Sequence, residues 1–226
     1  MNIGFIGAGR AGCTIGRYLA DAGIAVEGYY SRTKKSVDVA TTFTKTRAFE
    51  SIGELVKACD TIFVTTSDGA IENVWNSIKQ YDLNGKVISH FSGSLSSDIF
   101  FGIEATGAYG CSIHPMYAFS DKFISYKKFN NVCLTMEGSS EAVSRMNSLF
   151  APLVNNNIAA MLKNGTVSVL TGPAERNDIG TVRKHLQALD GTDAEDVYRA
   201  VGKTIVSIAK KKNPDTDYTD LENLMN

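Results

Sequence analysis

"GFIGAGRAG", Gly4 to Gly12, decides how the chain is read. An apolar run enters three glycines spaced G-x-G-x-x-G, Gly7, Gly9 and Gly12, and an apolar-periodic segment follows. Strand, tight turn and helix in that order present backbone N–H groups at a helix N-terminus, where a phosphate is held by hydrogen bonds and by the helix dipole. Gly7 permits the turn, Gly9 lets the backbone approach a pyrophosphate, and Gly12 lets the helix pack closely on the strand. The spacing alone is a weak signal and gains weight from its place in a βαβ unit. Residues Gly7, Ala8, Gly9, Arg10, Ala11 and Gly12 are therefore expected to bind a dinucleotide.

Outward from the turn, strands and helices alternate. Ile3 to Ile6 reads as a strand and Arg10 to Ala22 as a helix with Ala11, Ile15, Leu19 and Ala22 on one side, stopping at Gly23. Ile24 to Tyr30, Arg47 to Phe49, Cys59 to Thr66, Lys86 to Phe91, Ala108 to His114 and Asn131 to Met136 read as further strands. Between them, helices are expected over Lys34 to Thr42, over Ser51 to Ala58, and after Asp68, an N-cap candidate ahead of Ile71, Val74, Trp75 and Ile78. This alternation implies an α/β class, a doubly wound, Rossmann-type parallel sheet, over residues 1–137.

Residues 138–226 read as a small all-α domain. Val143, Met146, Leu149, Phe150 and Leu153 mark one helix. Asp178 caps another with Ile179, Val182, Leu186 and Leu189. Thr192 to Glu195 reads as a capping box ahead of Val197, Val201, Ile205 and Ile208. From Lys210 on, with Pro214 unable to continue a helix, a solvated end and a frayed terminus are expected.

The end of the second strand chooses the nucleotide. An NAD site places Asp or Glu there to accept from the adenosine ribose hydroxyls; this chain has Tyr30-Ser31-Arg32-Thr33. Without a carboxylate to repel a 2′-phosphate, and with a guanidinium and hydroxyls to hold one, Ser31, Arg32 and Thr33 favour NADP. Thr66 and Ser67 close the Cys59 to Thr66 strand at the same sheet edge and are expected to line the cofactor.

Two later strands deliver polar residues to that edge, His90-Phe91-Ser92-Gly93-Ser94 and His114-Pro115-Met116-Tyr117. Hydride transfer to a carbonyl or imine leaves charge on oxygen or nitrogen, so a proton donor is needed, and imidazole serves near neutral pH. His114 and His90 are the acid candidates and Ser92 the substrate-binding one; His185 reads as surface.

Composition narrows the partners. Lys plus Arg (23) balances Asp plus Glu (24), so no net field attracts nucleic acid. No apolar run is long enough to span a bilayer, and a strand beginning at Ile3 leaves no room for an export leader, so a cytoplasmic protein is expected. The four cysteines, Cys13, Cys59, Cys111 and Cys133, are scattered and suggest neither a disulfide framework nor a metal site.

"GFIGAGRAG", Ser31 to Thr33, "SHFSGSLSSD" at Ser89 to Asp98, "SIHPMYAF" at Ser112 to Phe119 and "LTGPAERND" at Leu170 to Asp178 together resemble the family of NADP oxidoreductases with an N-terminal Rossmann-like domain and a C-terminal helical domain of unknown function. Its relatives include pyrroline-5-carboxylate reductase and the β-hydroxyacid dehydrogenases. The resemblance implies the fold and the cofactor and does not name the reaction; with the residues above, an NADPH-dependent oxidoreductase acting on a small carbonyl or imine compound is expected, or, as the alternative, a non-catalytic NADP-binding sensor. It places Ser92-Gly93-Ser94 where β-hydroxyacid dehydrogenases bind substrate, and leaves a cleft-facing role open for Arg176. The sequence departs from the family between Pro152 and Ile158, where only Asn155-Asn156-Asn157 stand in for a long helical stretch. The catalytic lysine that related dehydrogenases carry has no convincing equivalent here, Lys163 being the nearest. A shortened helical domain favours pairing with a second copy, so a homodimer is expected.

Overall fold

The structure, a computed structural model, describes residues 1–170 and 172–226, with the side chains of all of these except 130, 131, 152–161 and 169. The motif residue Thr171 lies outside the described residues, and the expectations placed on Leu153 and on Asn155 to Asn157 fall where side chains are not described. By its internal contacts the chain forms two compact units, Met1–Pro152 and Leu153–Asn226.

The first unit is built on a seven-stranded sheet. Its strands are β1 (Ile3–Ile6), β2 (Val26–Tyr30), β3 (Arg47–Ala48), β4 (Thr61–Val64), β5 (Val87–His90), β6 (Tyr109–Pro115) and β7 (Leu134–Gly138), in the order β3-β2-β1-β4-β5-β6-β7. All neighbours are parallel except β7, which runs antiparallel to β6. The helices are α1 (Arg10–Asp21), α2 (Lys34–Thr44), α3 (Ile52–Ala58), α4 (Asp68–Ile78) and the start of α5 (Ser140–Val169), which is interrupted by non-helical Gly165. The doubly wound class read from the sequence is thus the observed one. Between β5 and β6 the crossover is made by short 3₁₀ turns at Ser97–Ile99 and Ile103–Thr106.

Every residue of β1, β4 and β5 is buried, as strands covered on both faces require. On one side Ile6, Ile62, Val64 and Ile88 pack with Leu55, Ile71, Trp75, Ile78 and Phe100. On the other, Phe5 stacks on Tyr29 at 4.9 Å and meets Phe63 edge-on at 5.4 Å. The Tyr29 hydroxyl donates to Gly12 O at 3.0 Å, and it reaches there only because position 16 has no side chain: a Cβ on Gly16 would stand 1.8 Å from the Tyr29 oxygen. Gly16 therefore sets how closely α1 lies on the sheet.

The second unit holds the remainder of α5, then α6 (Ile179–Leu189), α7 (Asp193–Lys212) and α8 (Thr219–Met225). Asp178 caps α6 as expected, accepting from Thr181 N–H at 3.0 Å. Three other expectations are corrected. At Thr192 no side-chain cap forms: its hydroxyl donates to Leu189 O, and Glu195 reaches back to Gly191 N–H. The face α7 buries is Gly202, Val206 and Ala209, with Val197 and Val201 exposed, because Met225 of α8 occupies the notch at Gly202. The tail is no frayed end, since Tyr218, Leu221 and Met225 belong to this unit's core.

Gly16→Ala should force Tyr29 out of its slot and lower stability by about 1–3 kcal/mol, the usual cost of overpacking. Urea denaturation of the full chain measures it, and a midpoint unchanged from wild type would contradict the role given to Gly16.

Candidate functional site

Three strand ends meet at the glycine turn. Gly7 N–H donates to Tyr30 O of β2 at 2.8 Å, Thr65 N–H donates to Ile6 O at 2.9 Å, and the Thr65 hydroxyl donates to Gly7 O at 2.8 Å. Gly7 sits at φ +116, and a Cβ there would lie 2.7 Å from the Thr65 carbonyl. A Cβ on Gly12 would lie 2.5 Å from Gly7 O, so this glycine is demanded by helix-to-turn packing. Gly9 differs: a Cβ there would meet only Thr65 O, at 3.9 Å, so protein packing does not require glycine. On the open side of the turn α1 begins with no side-chain cap and no acidic residue in its first turn. Free N–H groups and the dipole's positive end face that space, the arrangement that binds an anion.

A cavity of about 530 Å³ opens there, lined among others by Gly7, Ala8, Gly9, Ser31, Arg32, Thr66 and Ser67. Ser36, Ile52, Asn73, Val74 and Lys122 complete much of the wall, and none of its lining residues is a carboxylate. Of the residues expected to bind cofactor, Arg10, Ala11, Gly12 and Thr33 are not in the lining. Arg10 and Ala11 form the first turn of α1, Gly12 packs against the glycine turn, and Thr33 is the N-cap residue of α2. Lys122 was not foreseen: a single lysine in a loop carries no periodic or motif signal.

At the ends of β5 and β6 the two histidines part company. His90 is fully buried; Ser92 N–H donates to its Nδ1 at 3.2 Å, which leaves Nε2 to donate to Ser96 O at 3.1 Å. Burial holds its pKa below the ordinary histidine value, partly opposed by the Ser96 carbonyl and by Glu137 and Asp68. Both ring nitrogens are engaged inside the fold, Nδ1 by Ser92 and Nε2 by Ser96. His90 thereby shapes the loop that carries Ser92.

His114, half-buried on β6, packs closely against Gly93, where a Cβ would come within 2.3 Å of its Cε1 and 2.6 Å of its Nδ1. Gly93 is the residue that admits the imidazole to the Ser92 turn. That turn is tied down by Ser94, whose N–H donates to Ser92 Oγ at 3.1 Å and whose hydroxyl donates to Asp68 Oδ2 at 2.8 Å. Asp68 therefore does not cap α4, since Ser67 is the N-cap residue; its carboxylate anchors the Ser92–Ser94 turn.

Elsewhere, burial pushes Cys13 and Cys111 up to about 11 and Cys59 to about 12, which makes all three poor nucleophiles. His185, expected on the surface, is half-buried and shares a 2.9 Å hydrogen bond with the Tyr198 hydroxyl. Lys163 and Arg176 are exposed. Among the described residues no helix is long and apolar enough to cross a membrane.

Residues 2–91 match the family model described as NADP oxidoreductase, coenzyme F420-dependent, and residues 129–205 match a domain of unknown function, DUF2520. No curated protein matches the sequence. Among solved structures, a protein from Bacteroides fragilis assigned as an NADP oxidoreductase is similar at 18% identity, over 91% of this chain and 98% of that one, with a TM-score of 0.59. An imine reductase from a Pseudomonas species is similar at 16% identity, over 98% and 90% of the two chains, with a TM-score of 0.56. A 3-hydroxyisobutyrate dehydrogenase from Mycobacterium tuberculosis, solved with L-serine, is similar at 14% identity, over 88% and 70%, with a TM-score of 0.57. At these identities the likeness is one of fold.

Because the folded His90 has a depressed pKa, the unfolded chain takes up more protons at mildly acidic pH. The stabilisation is complete above the unfolded value of about 6.5 and is lost as pH falls below it. Melting temperatures between pH 7.5 and 5.5 should fall with acidification, and the fall should be shallower in His90→Gln. Equal slopes in the two proteins would refute the buried, neutral state of this ring.

Proposed function

We propose that this chain, which joins a nucleotide domain of the NADP oxidoreductase family to a C-terminal domain of unknown function, is an NADPH-dependent reductase of a small carbonyl or imine compound. The nucleotide-binding part is residues 1–137 and the helical part 138–226. The observation that carries this reading is a single cavity, without a carboxylate in its wall, that joins the glycine turn to Ser31 and Arg32.

The residues fit the cofactor along its length. Ile52, Ala70 and Val74 supply apolar wall for the adenine, and Arg32 with Ser31 and Ser36 supplies a charge and hydroxyls for the 2′-phosphate. The backbone from Gly7 to the first turn of α1 receives the pyrophosphate. Thr66 and Ser67 line the stretch toward the Ser92 turn, to which Asp68 is bonded. When bound, NADPH supplies a hydride. Ser92 orients the heteroatom of the substrate through its hydroxyl, held in place by Ser94 and Asp68. His114 holds the proton that the reduced oxygen or nitrogen takes up, and His90 keeps the Ser92 loop in shape. The exposed Val197 and Val201 on α7 favour a homodimer through the helical part.

Arg32→Asp should raise the Kd for NADPH about ten- to hundredfold, the worth of one charge-assisted contact, and leave NADH within a few-fold. Fluorescence titration reads both, and equal changes for the two nucleotides would remove Arg32 from the 2′-phosphate.

His114→Asn should lower kcat on whichever keto acid or cyclic imine is turned over by about a hundredfold or more, the contribution of a positioned general acid. An unchanged kcat would take His114 out of the reaction. NADPH binding with no turnover on either substrate class would assign the chain to the alternative, an NADP-binding sensor.

A further inference from the structure

Lys122 lines the nucleotide cavity together with the glycine turn, although it lies more than a hundred residues along the chain from it. The segment that carries it, between β6 and the 3₁₀ turn Ser125–Asn131, is firmly placed. Asp121 accepts from Phe123 N–H at 2.7 Å and Ile124 N–H at 2.9 Å, and its own N–H donates to the buried Ser125 hydroxyl at 3.1 Å. Tyr117 donates to Ser125 O at 2.9 Å and closes the base of the segment.

The segment also docks on the helices next to the cavity. Phe123 and Tyr126 meet Phe43 of α2 edge-on at 5.1 and 5.5 Å. Arg17 of α1 lies 5.6 Å over each of the Phe43 and Tyr126 rings and donates to Phe43 O at 2.8 Å. Tyr18 of α1 meets Phe129 at 5.3 Å. Lys122 is thus held at the tip of a pinned turn, half-buried, with no carboxylate paired to it among the described residues; the neighbouring Asp121 carboxylate is spent on backbone N–H groups. Its charge is felt on the α1 side of the cavity, where it lowers the Cys13 thiol against the larger effect of burial. Two independent sources of positive potential, this ammonium and the uncapped start of α1, therefore address the same space.

We propose that Lys122 binds the pyrophosphate of the dinucleotide alongside the glycine turn, and so couples the 117–126 segment to cofactor occupancy. The inference rests on the reading of the cavity as a dinucleotide site. It is separate from Arg32, because the pyrophosphate is common to NADPH and NADH whereas the 2′-phosphate is not.

The test is fluorescence titration of the full-length wild type, Lys122→Gln and Lys122→Arg with NADPH and with NADH, each at low and moderate salt. Lys122→Gln should weaken both nucleotides about tenfold, with their ratio unchanged and a shallower dependence on salt. Lys122→Arg, which keeps the charge, should stay within a few-fold of wild type. Unchanged affinity in Lys122→Gln would overturn the proposal, and so would a loss confined to NADPH, which would place the lysine on the 2′-phosphate. Failure of the wild type to bind either nucleotide would overturn the dinucleotide reading itself, and this inference with it.

Discussion

The Gly7 carbonyl holds the carboxyl edge of the sheet together. It accepts the Thr65 hydroxyl at 2.8 Å while Gly12 packs against its oxygen so closely that a methyl group would not fit. Thr65 in turn ties its own N–H to Ile6, and Gly7 ties its N–H to Tyr30. Two consecutive peptide groups thus fix the ends of β1, β2 and β4 relative to the start of α1. Any side chain at position 7 would strike the Thr65 backbone and pull the three strand ends apart.

With that junction fixed, the edge divides into two halves of different chemistry. Around β1 and β2 the wall offers backbone N–H groups and cations and no carboxylate, which suits a polyanion. Around β5 and β6 the acidic and imidazole groups serve one another first. Asp68 holds Ser94, Ser94 holds Ser92, and His90 holds both the Ser92 N–H and the Ser96 carbonyl. Ser92 is thereby presented by a turn with little freedom of its own, and His114 of β6 packs against that turn at Gly93.

What the sequence made legible was local. The strands betrayed themselves by β-branched apolar runs, α1 by its glycines and α6 by Asp178, because in each case the signal and its structural partner lie within a few residues. The roles that escaped it depend on partners far along the chain. His90 and His114 follow similar strands and look equivalent; only the packing of Gly93 and the Ser96 carbonyl separates a structural ring from one at the turn's surface. The face buried by α7 was misread because the helix carries apolar residues on two sides, and α8 chooses between them through Met225. The spacing of Tyr218, Leu221 and Met225 could have revealed α8, had Pro214 not suggested that order ended there. Lys122 had no such trace at all.

The two margins of the sheet are unlike, and both are short. At one, β3 is two residues long, with Arg47 paired to Glu27 at 3.4 Å and lying over Phe49 at 4.4 Å. At the other, β7 leaves the sheet at Gly138, whose positive φ lets the chain cross tightly over Gly110 before turning away. A strand from another molecule meets two rungs and a guanidinium on the first side and a ladder cut off after five residues on the second. Edge strands this short, one guarded by a guanidinium and the other turned away at a glycine, offer little unpaired backbone for edge-to-edge association.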